Sequence, residues 1–361
     1  MIKAAVCREF GAPLTIESVR LAAPGPGEVS VRIKACAICH SDIIAMDGGW
    51  GGTLPAVFGH EAAGVVEALG ENVRGLTVGD PVVVTLIRSC GNCFYCSRGV
   101  PTQCEGASAL DAASPISDES GAALRHGLRT AGFAEAVTVD ASQVCPIAED
   151  VPFDAASLLS CGVITGLGAV VNTAKMPPGS DAVVIGCGGV GLNSVQGAAL
   201  SGGRRIIAVD LSDDKLAAAK RFGATHGVNP GKEDVVQAVK DLTDGHGADF
   251  VFVTVGATKA LEQAPLLLNK GGAAVLVGMQ KSGETMTLDA LTLTDGAQKL
   301  LGSKMGGARL PVDIPWLVDR YRDGRLKLDE LISGRYPLDR INEAIDEVRS
   351  GAALRNVIIF D

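Results

Sequence analysis

The sequence predicts an α/β protein with two domains, one of which is built on a doubly wound parallel sheet. Its 361 residues exceed what a single hydrophobic core usually holds. From about residue 162 to residue 304, strongly apolar strands alternate with helical patterns, as in a parallel sheet covered on both faces. The preceding segment is rich in strands and turns, and the following segment is helical with a final strand. We therefore predict that residues 162–304 form one domain, flanked by two segments of different character.

The overall composition is typical of a globular protein and excludes two classes of partner. Hydrophobic residues make up 47% and charged residues 20% of the chain. The net charge is −9 and Lys and Arg form no local cluster, so we expect no binding to nucleic acid. The N-terminal residues contain no secretory h-region, and no apolar run reaches the roughly 18 residues of a membrane helix. We expect no membrane association and a cytoplasmic location, where cysteine clusters usually bind metals or catalyse reactions.

Four of the ten cysteines lie within fifteen residues, in the spacing C-x2-C-x2-C-x7-C: Cys90, Cys93, Cys96 and Cys104. A reducing compartment disfavours disulfides between them. An iron–sulfur cluster of the ferredoxin type is disfavoured because its cysteine run ends in C-x3-C-P, which this spacing lacks. Four thiolates complete the tetrahedral shell of Zn²⁺ and leave no position for a substrate. We therefore predict a structural zinc site here, with the chemistry elsewhere.

A glycine-rich motif follows an apolar strand at residues 182–185 and precedes a helical pattern. This strand–motif–helix context is typical of dinucleotide-binding domains. Gly186 permits the tight turn, Gly188 lets the backbone approach a pyrophosphate, and Gly191 lets helix and strand pack closely. Gly189 and Val190, within the motif, are also predicted to bind the cofactor, and the N-terminus of the following helix faces the phosphates with its unpaired N–H groups. The motif predicts a Rossmann domain.

Asp210 ends the next strand, 24 residues after Gly186. A carboxylate at this place hydrogen-bonds the ribose hydroxyls and repels a 2′-phosphate, so NAD is favoured over NADP. Ser212 is predicted to cap the following helix, and Gly223 is predicted to end it.

A second group of metal-binding residue types is distributed more widely. "CHSD" covers residues 39–42, and "GHEAAGVVEALGENV" covers residues 59–73. Two cysteines and one histidine could hold a zinc ion with one open position, but sequence distance alone does not bring them together. The other cysteines are predicted to be small buried hydrophobic residues, and three other histidines to be solvated loop residues: Cys7, Cys36, Cys145 and Cys187; His126, His226 and His246.

Residues 59–73 match the zinc alcohol dehydrogenase signature G-H-E-x2-G-x5-G-x2-V at every specified position. "CHSD" lies 21 residues before His60, as the first ligand motif of that family does, and "LSCGVITGLGA" resembles the stretch with its third ligand. The chain resembles the zinc-containing medium-chain alcohol dehydrogenases over essentially its whole length. It is most similar to the dimeric animal- and plant-type branch and the related glutathione-dependent formaldehyde dehydrogenases.

The resemblance implies a fold and a set of site residues. Residues 1–161 and 305–361 would form one GroES-like, β-rich catalytic domain, and residues 162–304 the Rossmann domain. Cys39, His60 and Cys161 would bind a catalytic zinc, giving two zinc ions per chain with the four-cysteine site. Asp42 would orient His60, and Glu61 would lie behind the metal as an occasional exchange ligand. Ser41 would pass the alcohol proton outwards. The residues implied to bind NAD, besides the glycine motif and Asp210, are Lys215 at the adenosine ribose, Thr165, Val277 and Gly278 near the nicotinamide, and Arg355 at the pyrophosphate.

Three positions depart from the family pattern. Ile44 stands where the liver-type proton relay ends in a histidine, so protons would leave through water and the ribose, or through His40. Trp50 aligns with a substrate-cleft position and predicts a narrow pocket, although it could equally be a loop tryptophan packed elsewhere. Ser108 stands near the place of an arginine that pairs with glutathione in the formaldehyde branch.

The resemblance thus implies a reversible, zinc-dependent oxidation of a small alcohol by NAD, in a homodimer or, as an alternative, a tetramer. One alternative substrate is a glutathione adduct of formaldehyde or another thiol adduct, although Ser108 argues against glutathione. A second alternative is a polyol, which the intact four-cysteine lobe disfavours. A non-catalytic nucleotide-binding protein is a further alternative, which the complete ligand set argues against.

Overall fold

The computed structural model describes all 361 residues and divides into two compact units. The first unit comprises Met1–Cys161 and Arg309–Asp361, and the second comprises Gly162–Ala308. The second boundary therefore lies four residues later than the sequence predicts. Met305–Gly307 stays with the second unit because the backbone of Gly306 packs closely on Gly168, and Asn172 donates a hydrogen bond to its carbonyl at 3.3 Å.

The first unit is built from two mainly antiparallel sheets. In spatial order, the five-stranded sheet contains Ile116–Ser117, Thr15–Leu21, Ile2–Cys7, Ala56–Val57 and Arg125–His126. The seven-stranded sheet contains Val144–Pro146, Pro81–Val84, Glu61–Leu69, Glu28–Ala37, Arg355–Ile359 and Ile332–Pro337, with Ala136–Asp140 paired to Glu28–Ala37. The apolar faces of these strands enclose one core that includes Phe58, Phe133 and Ile33.

The helices of the first unit are few and mostly short. They are His40–Met46, Ala109–Ala112, Phe153–Leu158, Leu310–Arg322 and Ile341–Ser350. The strands rather than the helices therefore provide most of the framework on which the cysteine and histidine side chains are placed.

The second unit contains a six-stranded sheet in which every neighbouring pair is parallel. Its spatial order is His226–Val228, Arg205–Val209, Asp181–Ile185, Ala248–Val253, Leu268–Leu276 and Lys299–Gly302. The chain starts in the centre and winds outwards in both directions, so the doubly wound parallel sheet is confirmed. The helices are Ile164–Gly168, Gly189–Leu200, Asp213–Arg221, Val235–Leu242, Thr258–Gln263 and Ala290–Asp295. The central strand Asp181–Ile185 is buried at every position, as its apolar sequence requires.

One helix, Phe153–Ala174, is long and apolar enough to cross a membrane by length and composition, with a mean hydropathy of 1.6. Since 89% of its most apolar 18-residue window is buried within the protein, this apolar character is explained by packing in the core. The helix contains π-helical turns at Leu159–Val163 and Ala169–Ala174. The first of these turns carries Cys161, in keeping with the frequent occurrence of π-bulges at functional sites.

Candidate metal centre and nucleotide site

Cys39, His60, Glu61 and Cys161 form a buried cluster in the first unit. One ligand atom from each residue can be chosen so that all four lie within 4.8 Å of one another. Cys39 is the extended N-cap residue of the helix His40–Met46, and His60 directly precedes the strand Glu61–Leu69. The structure thus brings together the side chains of Cys39, His60 and Cys161. Cys39 lies 21 positions before His60, and Cys161 lies 101 positions after it.

Asp42 organises this cluster through three hydrogen bonds. Its Oδ1 accepts from Nδ1 of His60 at 2.9 Å and from the backbone N–H of Gly59 at 3.0 Å, and its Oδ2 accepts from Cys39 N–H at 3.3 Å. Because Nδ1 of His60 donates to Asp42, Nε2 is the ring nitrogen that is left to bind a metal once the ring is neutral. Nε2 is buried and has no hydrogen-bond partner. Two cysteine sulfurs and this imidazole nitrogen fit Zn²⁺ in chemistry and number.

The electrostatics of the cluster favour a thiolate. A hydrogen bond between the two thiols holds the pKa of Cys39 well below its ordinary value and raises that of Cys161 well above it. Burial lowers the pKa of His60, but the charges of Asp42 and Cys39 outweigh it and raise that pKa well above its ordinary value. The protein therefore already stabilises a negative sulfur beside the imidazole.

Glu61 and Arg355 form a buried ion pair next to the cluster. Glu61 is fully buried, and its Oε2 accepts a hydrogen bond from Nη2 of Arg355. Burial raises the pKa of Glu61 to about 7, although the Arg355 guanidinium opposes this shift. The pair joins residues 294 positions apart, which no sequence pattern indicated. Arg355 is itself buried, and its role at the pyrophosphate remains a prediction.

The four clustered cysteines form a second group, whose sulfur atoms also lie within 4.8 Å of one another. Backbone N–H groups donate to three of these sulfurs: Cys93 to Cys90 at 3.3 Å, Cys96 to Cys93 at 3.5 Å, and Cys90 and Gly106 to Cys104 at 3.3 and 3.4 Å. The hydrogen bond from the backbone N–H of Cys96 to the Cys93 sulfur is the largest of the effects that lower the pKa of Cys93 to about 6. Sulfurs that already receive N–H donors are well suited to bind Zn²⁺ as thiolates.

The glycine motif has the geometry of a phosphate-binding turn. Gly186 has a φ of 93°, and a Cβ on Gly191 would lie 1.8 Å from the carbonyl oxygen of Gly186. A Cβ on Gly188 would meet nothing within 4 Å, so the space over this residue is open. The helix Gly189–Leu200 starts there without a side-chain cap, which leaves its first N–H groups available to an anion. The motif thus fits a bound pyrophosphate.

Asp210 follows the strand Arg205–Val209 at its carboxyl end. Its two oxygens accept hydrogen bonds from the backbone N–H groups of Cys187 at 2.7 Å and Ser212 at 2.9 Å. Ser212 caps the helix Asp213–Arg221 by accepting from the N–H of Lys215, as predicted, and Gly223 follows the helix with a φ of 112°. The carboxylate is therefore fixed in position, with the half-buried Lys215 on the first turn of the next helix.

The residues predicted to lie near the nicotinamide are Thr165, Val277 and Gly278, and all three belong to the second unit. Val277 and Gly278 directly follow the strand Leu268–Leu276, and both N–H groups donate to the Val253 carbonyl at 2.9 Å. Thr165 donates from its hydroxyl to Sδ of Met305 at 3.7 Å. Met305–Gly307 has positive φ values of 50°, 63° and 60° at its three residues. The sequence analysis did not predict this conformation, although two consecutive glycines favour it.

The other predicted positions differ in exposure. Ser41 is half-buried on the helix that starts with the exposed His40. Trp50 is partly buried and packs against the core of the first unit. Ser108 caps the helix Ala109–Ala112 by accepting from the N–H of Leu110 at 3.3 Å.

The remaining cysteines and histidines give two confirmations, the four cysteines and His246, and two corrections, His126 and His226. Cys7, Cys36, Cys145 and Cys187 are buried, as predicted. His126 was predicted to be a solvated loop residue, but it lies on the strand Arg125–His126, and burial lowers its pKa to about 4. Its Nε2 is buried without a hydrogen-bond partner. His226 is likewise half-buried on a strand, with Nδ1 2.8 Å from the Thr225 hydroxyl, whereas His246 is exposed.

Comparison with known proteins agrees with this geometry. The alcohol dehydrogenase GroES-like domain family matches residues 25–149, and the zinc-binding dehydrogenase family matches residues 189–321. The chain is 36% identical to the S-(hydroxymethyl)glutathione dehydrogenase of Paracoccus denitrificans, over 99% of both chains. It belongs to the zinc-containing medium-chain alcohol dehydrogenases.

Two solved structures of this dehydrogenase family share the fold closely. An alcohol dehydrogenase zinc-binding domain protein from Burkholderia ambifaria has a TM-score of 0.95 and 35% identity, covering 100% of this chain and 99% of the other. Benzyl alcohol dehydrogenase from Acinetobacter calcoaceticus has a TM-score of 0.94 and 33% identity, with the same coverage. The chain is therefore an NAD-dependent, zinc-dependent dehydrogenase that oxidises an alcohol to an aldehyde or ketone in a reversible reaction.

Proposed function

We propose that this dehydrogenase oxidises simple, unconjugated alcohols at a zinc ion held by Cys39, His60 and Cys161. The observation that carries this proposal is the buried cluster of two thiols and an imidazole whose Nε2 has no partner in the protein. These three residues would hold a zinc ion, which would supply Lewis-acid chemistry that lowers the pKa of an alcohol hydroxyl. Three protein ligands leave one coordination position for the substrate.

The proton of the alcohol is assigned to Ser41. Its hydroxyl is half-buried two residues after Cys39, on the first turn of the helix His40–Met46. Ile44, one turn further along, has no titratable group, so the proton passes to water, to the cofactor ribose or to the exposed His40. An imidazole is suited to this task because it titrates near neutral pH.

NAD is assigned to the glycine motif and Asp210. The open space over Gly188 and the uncapped helix start support a pyrophosphate there. Asp210 is held rigidly by two backbone N–H groups and presents a negative charge at the strand end. That charge supports selection against the 2′-phosphate of NADP.

A second zinc is assigned to Cys90, Cys93, Cys96 and Cys104, in a structural role. Four sulfurs in mutual reach, most of them already accepting N–H donors, support a closed tetrahedral site. No coordination position remains there for a substrate.

The preference for unconjugated alcohols rests on Ser108. The formaldehyde branch has an arginine in this loop for the glutathione carboxylate, whereas Ser108 uses its side chain to cap a helix. A glutathione adduct remains the second candidate, because a relative with 36% identity is named S-(hydroxymethyl)glutathione dehydrogenase. The similarity to a benzyl alcohol dehydrogenase supports including aromatic alcohols among the candidate substrates.

A homodimer in the cytoplasm completes the proposal. The strand Lys299–Gly302 forms an edge of the parallel sheet, with Leu300 36% exposed, and Leu291 nearby in sequence is 74% exposed. An exposed edge strand with apolar neighbours is suited to pairing with a second copy. None of the ten cysteines forms a disulfide bond, in keeping with a reducing compartment.

The test is NADH formation by the zinc-loaded protein with short primary, secondary, aromatic and polyol alcohols, and with formaldehyde plus glutathione. We expect turnover with simple alcohols and no dependence on glutathione. Turnover only in the presence of glutathione would contradict the substrate assignment. Activity with NADP equal to that with NAD would contradict the role of Asp210.

A further inference from the structure

Residues 127–132, here called the left-handed turn, hold three non-glycine residues in an unfavourable backbone conformation. The φ values are 48° at Leu128, 60° at Arg129 and 56° at Ala131. L-residues avoid this region because Cβ approaches the following carbonyl oxygen. Of the eight non-glycine residues with positive φ in the chain, three lie in this turn. Such strain persists only where surrounding groups fix it, and it clusters at functional sites.

Gln143 is a buried side chain from outside the left-handed turn that holds the Arg129 carbonyl, in addition to the turn's own bonds to the Gly127 and Leu128 carbonyls. It is fully buried, and its Nε2 donates to the carbonyl oxygens of Arg129 at 2.9 Å and Thr85 at 2.7 Å. The backbone of Gln143 also accepts from the Thr85 N–H at 3.0 Å. The Gln143 amide therefore connects the carbonyl of Arg129, whose backbone is strained, to Thr85, which follows the strand Pro81–Val84.

The left-handed turn in turn rests on the peptide that precedes His60. The N–H of Gly132 donates to the Gly59 carbonyl at 2.7 Å, and the Phe133 N–H donates to the Phe58 carbonyl at 2.8 Å. A Cβ on Gly59 would lie 2.5 Å from the backbone nitrogen of Phe133, so the two segments have no room to slide.

Gly59 links this contact to the cluster. Its N–H donates to Asp42 Oδ1, the same oxygen that accepts from Nδ1 of His60. A displacement of the left-handed turn would therefore move both the backbone of the adjacent ligand residue and the carboxylate that orients its ring.

We propose that Gln143 is a positioning residue for the catalytic zinc site: it holds the left-handed turn in its strained conformation, and the turn fixes Gly59 and thereby His60. This inference rests on the proposed assignment of His60 as a zinc ligand. Metal–ligand distances at a well-formed site lie within about 0.2 Å of their standard values, so a shift of His60 on relaxation of the turn weakens zinc binding. Gln143 touches neither substrate nor metal.

The experiment measures release of zinc from the zinc-loaded protein into a chromogenic chelator. Gln143→Met keeps the approximate side-chain length and removes both donors. We expect the release phase of the catalytic site to accelerate about tenfold, as outer-shell substitutions at zinc sites commonly do. The phase of the four-cysteine site stays unchanged. His60→Ala identifies the catalytic phase, because that phase is missing in this variant.

Gln298→Met is the matched control. Gln298 also has a buried, unpartnered Oε1, and its Nε2 donates to the carbonyls of Pro265, Leu268 and Asn269 in the other unit. We expect both release phases to remain as in the unmodified protein. An equal acceleration in Gln298→Met would mean that any buried amide loss loosens zinc, and would overturn the proposal.

A second substitution that restores slow zinc release in Gln143→Met distinguishes a positioning role of Gln143 from a general loss of stability. Arg129 is exposed, and glycine adopts a φ of 60° without strain, so Arg129→Gly lets the turn keep its shape without Gln143. We expect the double variant Gln143→Met/Arg129→Gly to release zinc within about twofold of the unmodified protein, a near-complete reversal of the tenfold effect. A double variant that releases zinc as fast as Gln143→Met overturns the proposal, as does an unchanged phase in Gln143→Met.

If Gln143→Met does not fold, Gln143→Asn takes its place, since the shorter amide cannot reach both carbonyls, and the same outcomes apply. If His60→Ala retains both release phases, the zinc assignment itself is wrong. If His60→Ala lacks the catalytic phase and Gln143→Met releases zinc as the unmodified protein does, the zinc assignment holds and only the role of Gln143 is wrong.

Discussion

Asp42 is the residue on which the geometry of the buried cluster depends most directly. One carboxylate accepts from the His60 ring, from the peptide before it, and from the backbone of Cys39. It therefore fixes the tautomer that leaves Nε2 free and couples the backbone of two predicted ligands.

Asp42→Asn tests this role, because it keeps the shape and one acceptor oxygen but removes the charge. We expect zinc affinity at the catalytic site to fall about 10- to 100-fold, measured by competition with a chelator of known affinity. Asp47→Asn, at the other end of the same helix and paired with Arg349 on the surface, serves as the control. Equal zinc affinity in both variants would contradict the role of Asp42.

His126 should make the stability of the protein depend on pH. Burial lowers its pKa to about 4, despite opposing effects of the Thr130 backbone and Asp111, whereas an unfolded histidine titrates near 6.5. Between these values the unfolded state binds the proton and the native state does not, so stability is lost as the pH falls. We expect about 2 kcal/mol of unfolding free energy to be lost between pH 7 and pH 5 because of this residue.

Urea unfolding at both pH values measures this effect. His126→Gln should lose less stability on acidification than the unmodified protein by that amount, whereas His246→Gln, at an exposed position, should behave like the unmodified protein. Identical pH dependence in all three proteins would show that His126 is accessible to water.

At the residue scale, the sequence predicted side chains that belong to a recognisable local motif and missed those whose partners are distant. Cys39 and His60 stand in short motifs that the chain shares with a known family. The ion pair of Glu61 with Arg355 spans 294 positions and arises only when the strands carrying them meet in one sheet. The burial of His126 likewise depends on pairing with Ala56–Val57.

Among the structural elements, the glycine motif between the strand Asp181–Ile185 and the helix Gly189–Leu200 leads to opposite predictions of stability for alanine at Gly188 and at Gly191. Gly191→Ala places a methyl group against the Gly186 carbonyl at 1.8 Å, so we expect a loss of about 1 to 3 kcal/mol of stability. Gly188 has a φ of −79° and open space around it, so Gly188→Ala should leave stability unchanged or slightly higher.

NADH binding by the folded protein distinguishes the two variants further. Gly188→Ala should weaken NADH binding, because its methyl group occupies the space proposed for the pyrophosphate. The pair is measured by thermal unfolding and NADH fluorescence titration. Unchanged NADH affinity in Gly188→Ala would place the phosphates elsewhere.

The elements of the second unit were predictable because local patterns suffice for them. Apolar strands, a capping Ser212 and a terminating Gly223 determine the parallel sheet and the helix Asp213–Arg221 without reference to distant contacts. The turn at Met305–Gly307 was assigned to the wrong unit, because its place is decided by close packing of Gly306 on Gly168. The π-helical turn at Cys161 has no local sequence signal either.

For the molecule as a whole, the two cysteine-containing sites should contribute to different properties. Cys96→Ser removes one ligand of the four-cysteine site, so we expect loss of one zinc per chain and a clear fall in melting temperature. The alcohol turnover of the molecules that remain folded should change little. A stable Cys96→Ser protein with full zinc content and reduced turnover would contradict the structural assignment of this site.

The central claim is that the buried site of Cys39, His60 and Cys161 performs the oxidation, and His60→Ala tests it most directly. The measurement is the rate of NADH formation from an alcohol that the unmodified protein oxidises, with zinc content and NADH binding determined on the same sample. We predict one zinc per chain instead of two, retained NADH binding and alcohol oxidation at the level of the blank. Alcohol oxidation by His60→Ala at the rate of the unmodified protein would contradict the claim and place the chemistry elsewhere in the protein.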